Sequence, residues 1–433
     1  VAQDAVLYPL TIVDEVVTLG ALLKVLSNSG PLSWCAVGDD LYYSNGADSG
    51  RLTAGVWYPL GIATPEAPAL GLVAGSLHPG WYQVGVSYSN SVTGEESGIS
   101  ASSNAELEAE GGIRVTLPGA TVGADTVNVY LSHANGAVVY HKVSLPIATV
   151  TYDCTTLATG RESAGRFEDP LPAGALFMSN GRLCSFNGGT VYIGLPWRHG
   201  YYLPAEGYLQ FPSPVTVAVE NQGGTYIVAD KTHWFPGGDL ASVEATITDV
   251  LPFGAVPGTV FQHPTDPKVG WFSTKGVVLA DMNGAVSPLT ADMFDMAPPA
   301  SGTAVVFDEE YRRVVSCGYC VNLDSRAMTR YTGWDFTSVS GDYGTKPDGI
   351  YLLNCDGLVE SIIDFGKINF GSDELKHLPA VYAGMASESP LELTVAYVDE
   401  RDTEQSYGFL TRGSSTNMQI QRFDTAKGMR ANW

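Results

Sequence analysis

Four aspartates, Asp335, Asp342, Asp348 and Asp356, fall in one short stretch of the 433-residue chain. Paired carboxylates held about 5 to 10 Å apart can supply the acid and the nucleophile or base of glycoside hydrolysis. Aspartate also favours tight turns, because its side chain bonds the backbone two residues on, and the cluster reads as a set of turns ahead of a catalytic pair. Cys317-Gly318-Tyr319-Cys320 is a single C-x-x-C without the second pair a zinc ribbon needs. The seven histidines, His78, His133, His141, His199, His233, His263 and His377, stand apart, and none has the i,i+2 spacing that would put two on one face of a strand. No Walker A loop, G-x-G-x-x-G, G-x-S-x-G or H-E-x-x-H occurs. The reading from these residues is no catalytic set, no metal and no cofactor.

Large aromatic side chains remain as a surface that could act without chemistry. Trp197-Arg198-His199-Gly200-Tyr201-Tyr202 and His233-Trp234-Phe235 set big rings beside turn signals. Rings on loops stack on sugars or anchor a protein interface; the same rings also fill the space between packed sheets. Trp197, Tyr201, Tyr202 and Trp234 are the candidate receptor- or partner-contacting residues.

Charge narrows the partners. With 46 acidic and 23 basic residues the net charge is −23. Phosphate backbones and anionic lipid both select Lys and Arg, so no specific nucleic-acid binding is expected, and an acidic wall would let DNA pass without sticking. No apolar run is long enough to span a membrane as a helix. Val1 to Leu10 lacks the basic region of a secretory leader, and six scattered cysteines are no disulfide framework. Both point to synthesis in a reducing cytosol.

The elements that position these residues read as nearly all β. Asn-Gly recurs at 45, 135, 180, 187 and 283, and Asp-Gly at 348 and 356. These dipeptides suit the positive φ angles of tight hairpins. Short β-branched and aromatic runs flank them, such as Thr190-Val191-Tyr192-Ile193 and Ile350-Tyr351-Leu352-Leu353. Helical patterning is confined to a turn or so at Ala291 to Met296 and Ser372 to His377. Hairpin units recur every 30 to 50 residues or so, the spacing of β-propeller blades: Trp34 to Arg51, Gly181 to Ile193, Val215 to Val228, Val269 to Leu279, Val305 to Val315 and Asp348 to Ile363. The expected architecture is an all-β chain with a propeller of about six blades. Residues 1–65 form its first part and residues 161–365 the rest. Residues 66–160 form an inserted fibronectin type III or immunoglobulin-like sandwich, and residues 366–433 a small C-terminal β element.

Several segments in this order resemble a family of tailed-bacteriophage virion proteins. They are Leu41-Tyr42-Tyr43-Ser44-Asn45-Gly46, Gly80-Trp81-Tyr82-Gln83-Val84 with Gly94-Glu95-Glu96-Ser97-Gly98, and Val129-Tyr130-Leu131-Ser132. Leu171-Pro172-Ala173-Gly174, Gly181-Arg182-Leu183, Val191-Tyr192-Ile193-Gly194, Tyr331-Thr332-Gly333-Trp334-Asp335-Phe336 and Asp348-Gly349-Ile350-Tyr351 complete the set. The resemblance spans most of residues 34 to 365 and carries no catalytic signature. It implies a non-enzymatic structural protein of the virion tail, at the tail tip or baseplate, contributing to assembly and host attachment, or a ring-forming nozzle around the DNA exit. The implied partners are other tail proteins, a symmetric oligomer and a host surface polysaccharide or protein. A carbohydrate-active propeller enzyme is the alternative class: Ser340-Gly341-Asp342-Tyr343-Gly344 starts like the Asp-box of sialidases, but Lys346 and Pro347 stand where Thr and an aromatic belong. A surface adhesin is a third class, which the missing export signal disfavours.

Overall fold

A computed structural model describes residues 2–3, 5–13, 16–163, 167–237, 239–242, 245–262, 267–291, 306–308, 313–316, 319–330, 336–340, 343–353, 380–387, 392–398, 404–410 and 415–424. Every regular element among them is a β-strand, and the pairings within sheets are antiparallel. The chain divides into two compact units, residues 1–357 and 358–433.

Six meanders follow one another among the described residues of the first unit. Sheet I is built from Ser33–Val37, Asp40–Ser44, Ser49–Thr53 and Val56–Pro59. Sheet II has Ala175–Ser179, Arg182–Asn187, Thr190–Leu195 and Arg198–Tyr202, with Asp169–Pro170 and Tyr208–Gln210 added at its margins. Sheet III comprises Val217–Asn221, Gly224–Val228, Thr232–Pro236 and Thr248–Leu251. Phe261–Gln262, Val269–Ser273, Gly276–Ala280 and Val286–Pro288 make sheet IV. Sheet V contains Val306–Asp308, Arg313–Ser316, Tyr319–Asn322 and Met328–Arg330, and sheet VI Ser338–Ser340, Tyr343–Lys346 and Gly349–Leu352. Among the described residues no sheet closes on itself.

The turn chemistry explains where these strands fold back. Asn180 and Gly181 have φ of 48° and 71°, the double positive φ of a type I′ hairpin. Asn45-Gly46, Asn187-Gly188 and Asn283-Gly284 also sit between paired strands. Asp348-Gly349 lies at the turn that joins Tyr343–Lys346 to Gly349–Leu352. Residues 354–363, the expected helical turns at 292–296 and 372–377, and Asp335, Asp342 and Asp356 lie outside the described residues.

Packing follows from the period of two. The central strands of sheets I to IV are apolar on both faces, because each of these sheets is covered on both sides. In sheet III, Ile227 enters the core shared with sheet II, while Tyr226 and Val228 enter the core shared with sheet IV. In sheet IV, Val278 and Ala280 face sheet III and Val277 faces sheet V. Tyr42 of sheet I packs on Leu176 and Leu183 of sheet II, whereas its neighbour Tyr43 packs on Leu7 and Leu26 of the N-terminal segment. The first strand of sheet II lies beside the first strands of sheets I and III. Hydroxyl and amide bonds fasten these seams: Leu176 N–H donates to Ser33 Oγ (2.9 Å), Ser179 Oγ meets Thr225 Oγ1 (2.7 Å), and Asn221 Nδ2 donates to the Asp281 carbonyl (2.7 Å). Glycine permits the closest approaches. A Cβ on Gly200 would stand 1.8 Å from the Leu60 carbonyl oxygen, and one on Gly223 would stand 1.6 Å from that of Met282.

Between sheets I and II the chain builds a separate core. Ala69–Leu77, Gly111–Thr116 and Thr151–Cys154 form one sheet; Gly80–Ser89, Ser103–Leu107, Thr126–Ser132 and Val139–Pro146 form the other. The two sandwich Tyr82, Val84, Val86, Ile113, Val129 and Leu131. The opening strand Ala69–Leu77 escapes a sequence reading because Gly71 and Gly75 interrupt its pattern and most of its side chains are exposed. In the second unit Ala380–Ser387 pairs with Ser415–Asp424, and Glu392–Val398 with Glu404–Leu410.

Ile227 is fully buried between sheets II and III. Ile227→Ala is expected to destabilise the first unit by about 2–5 kcal/mol, whereas Val92→Ala, at a side chain 79% exposed, should stay within ~0.5 kcal/mol. Urea unfolding midpoints of the two variants, with unchanged slope, check this.

Candidate functional site: the sandwich junction and the inter-sheet cleft

The four aromatics singled out by sequence do not share a surface. The turn between the third and fourth strands of sheet II holds Trp197 in the left-handed region, φ 63°, with its side chain 92% exposed. Tyr201, the fourth residue of the next strand, is 1% exposed. Its hydroxyl accepts the Ile62 N–H at 2.8 Å, and the Arg198 guanidinium lies 4.5 Å from its ring centre. Burial pushes its phenol well above the ordinary range. Tyr202 is half-buried, edge-on to Tyr192 at 5.4 Å. Trp234 is buried against Tyr226, ring centres 4.3 Å apart, in the core between sheets III and IV. Trp197 alone of the four offers most of its ring to solvent. The alternation of strand faces carries the other rings inward.

A cluster of charges that no motif announces lies where the sandwich meets sheets I and II. Arg51, in the third strand of sheet I, pairs with Glu95 from the sandwich at 2.9 Å and reaches Asp40 at 3.8 Å. Arg198, next to Trp197, pairs with the buried Glu168 and donates to the backbone oxygen of Glu96. Thr64 Oγ1 donates to the Glu168 carbonyl at 2.9 Å. These partners are 44, 102 and 104 residues apart in the chain, which is why spacing alone could not find them.

The two sides of the Arg51–Glu95 pair respond differently. Burial pushes the Glu95 carboxyl above its ordinary range, and Arg51 and Arg198 offset this only in part. Burial works against the charge on Arg51 as well, but there Glu95, Tyr42 and Asp40 outweigh it. A guanidinium stays charged throughout the range in which proteins fold, so the direction at Glu95 is the one that governs titration.

Next to this cluster Glu96 is held, part-buried, on the face of a sandwich sheet that points away from its core. It accepts from Ser87 Oγ at 2.6 Å, from the Tyr130 hydroxyl, and from Asn128 Nδ2 and Arg161 at 3.3 Å each. A hollow of about 170 Å³ opens beside it. Burial, and then Glu96, pushes the Tyr130 phenol up to about 12. Each polar group of this set answers another, so the arrangement fixes the Gly94–Gly98 turn rather than activating a nucleophile.

The larger opening, about 1150 Å³, runs along the first strands of sheets I, II and III. Ser33, Trp34, Met178, Val217, Glu220 and Gln222 are among its walls. Glu220 accepts the Asn180 N–H at 2.5 Å. Cys35, also in the wall, has its thiol pushed up to about 11 by burial, which leaves it protonated and a poor nucleophile. Glu220 is the one carboxylate among the described lining residues. The opening can accept a chain or a ligand through hydroxyl, amide and aliphatic contacts.

One further constellation was invisible in sequence. His233 Nδ1 lies 2.8 Å from Asp249, which also pairs with Lys231 at 3.2 Å. Hydrogen bonds from Lys231 and then His233 hold the Asp249 carboxyl below its usual range. The His233 ring packs on Phe211 at 5.2 Å. Asp348, from the aspartate-rich stretch, accepts the Tyr351 hydroxyl at 2.7 Å inside its own turn. No family model matches the chain, and no curated protein is similar to it.

A carboxyl whose folded pKa exceeds its unfolded value favours the protonated form in the fold. Its contribution is present below the unfolded pKa, about 4.3 for glutamate, and is lost as pH rises through the folded value. Glu95→Gln never ionises, so its stability relative to wild type should rise between about pH 4 and pH 7, read from thermal midpoints across that window. Trp197 is a second test. A non-glycine residue in the left-handed region carries strain of order 1–3 kcal/mol, part of which glycine's own entropy takes back. Trp197→Gly should therefore leave the fold as stable as wild type or up to ~1 kcal/mol more so; a marked loss in calorimetry would make the ring a structural group.

Proposed function

We propose that the chain is a non-enzymatic structural component of a bacteriophage tail, at the tail tip or baseplate, that contributes to tail assembly and host attachment. In this reading the six meanders are the blades of a propeller, and the two-sheet insert is a fibronectin type III-like module. The observation that carries it is the way sheets I to V stack each on the next while the first strands of sheets I, II and III line one opening. That is how blades are arranged about an axis, and the order of modules is the one by which the chain resembles tail proteins. The strained, exposed Trp197 supports a contacting role, since strain of this kind persists where the surrounding structure over-determines it and concentrates at functional positions. A host polysaccharide would stack on such a ring.

The net charge of −23 favours a second position in the same assembly. A ring of strongly acidic subunits repels DNA phosphates, as a nozzle around the DNA exit requires.

Gold-labelled antibody against the chain should decorate one end of the tail in purified virions, distal to the head for either position. Label on capsids alone, or on no particle, overturns the tail reading. Reducing sugar released from host capsule, lipopolysaccharide or peptidoglycan by the purified chain would overturn the non-enzymatic part.

A further inference from the structure

Two segments present apolar strands with an outer edge that pairs with nothing among the described residues. The first is the ribbon of Leu10–Val13 and Val16–Leu19, bonded only to each other in the register Leu10↔Leu19 to Val13↔Val16. Val13, Val16, Val17 and Leu19 are exposed, and Leu22 and Val25 extend the patch beyond the ribbon. A two-stranded ribbon is at best marginally stable alone in water. Aliphatic side chains left open in one patch mark a surface that something covers.

The second is Ala69–Leu77, the outer strand of the three-stranded sandwich sheet, which pairs with Gly111–Thr116 on one side. Leu72 stands opposite the buried Ile113, yet its side chain is 65% exposed. Proteins blunt such edges with charge, proline or a bulge. Here the register shift comes only after Val73, and the strand from Ala69 to Val73 carries neither charge nor proline.

Charge selects the occupant. Two copies of a chain at −23 repel wherever carboxylates face one another. Leu10–Val13, Val16–Leu19 and residues 67–77 contain no ionisable acidic or basic side chain, Asp14 and Glu15 falling between the two ribbon strands in the sequence, so these strands are surfaces on which copies meet without that opposition. One segment is a strand without a sheet, and the other is a sheet edge without a strand. We propose that the Leu10–Leu19 ribbon of one copy adds to the Ala69–Leu77 edge of the next, by β-strand addition. The donor and acceptor patches differ, so the contact is head-to-tail, and it closes into a ring or runs on as a filament. It goes beyond the tail reading and does not depend on it: a ring formed in solution without any virion label would keep the contact and remove the tail.

The test is sedimentation equilibrium of the full chain. Wild type should assemble with rising concentration, while Val17→Lys in the donor and Leu72→Lys in the acceptor should each sediment as monomers. Mixed in equal amounts, the two variants should form a 1:1 dimer and nothing larger, because one intact donor and one intact acceptor remain. Thermal midpoints equal to wild type establish that the variants fold; Val16→Asp and Leu72→Asp serve as a second pair if either lysine variant does not. A wild type that stays monomeric, assembly undisturbed by both substitutions, or a mixture of monomeric variants that fails to dimerise overturns the proposal.

Discussion

The charge cluster at the sandwich junction governs the first unit. Sheets I and II pack on each other, yet more than a hundred residues of chain and a second hydrophobic core separate them in sequence. Such an excursion leaves the ends of the insert free to swing unless something fixes both. Arg51 of sheet I grips Glu95, and Arg198 of sheet II grips Glu168 and the backbone at Glu96. Breaking a buried pair by removing one partner leaves an uncompensated charge and costs far more than the pair contributes, so each arginine ties the insert to its sheet. Tyr201 completes the fastening by taking the Ile62 N–H as the chain leaves sheet I.

That fastening also explains the position of Trp197. Arg198 must point into the junction, and Tyr201 must point under it. The turn that delivers both leaves the preceding residue in the left-handed region and facing solvent. The one freely presented aromatic of the four candidates is thus a by-product of the junction, available for a partner because its neighbours are committed to the interior.

Away from the junction the sheets depend on one another serially. The central strands of sheets I to IV give alternate residues to two different cores, so a change at Ile227 is felt between sheets II and III and one at Tyr226 between III and IV. A single meander could not bury both faces alone. The N-terminal ribbon and the outer sandwich strand break this rule by leaving apolar faces open, which sets them apart from the interior of the fold.

The sequence by itself determined the strand content, most of the hairpins and the acidic surface. Those properties are local: Asn-Gly pairs impose positive φ at Asn180-Gly181 whatever surrounds them, and alternation fixes which side chains share a face. The sequence did not show the strand Ala69–Leu77, where glycines and exposed side chains erase the pattern. Only the tertiary structure decided the fate of the aromatics, sending Tyr201 and Trp234 inward and Trp197 outward. It alone assembled Arg51 with Glu95, Arg198 with Glu168, and His233 with Asp249. The physical reason is the same in each case: burial and Coulomb attraction act through space, between groups that chain spacing does not relate, whereas turn and strand preferences act within a few residues.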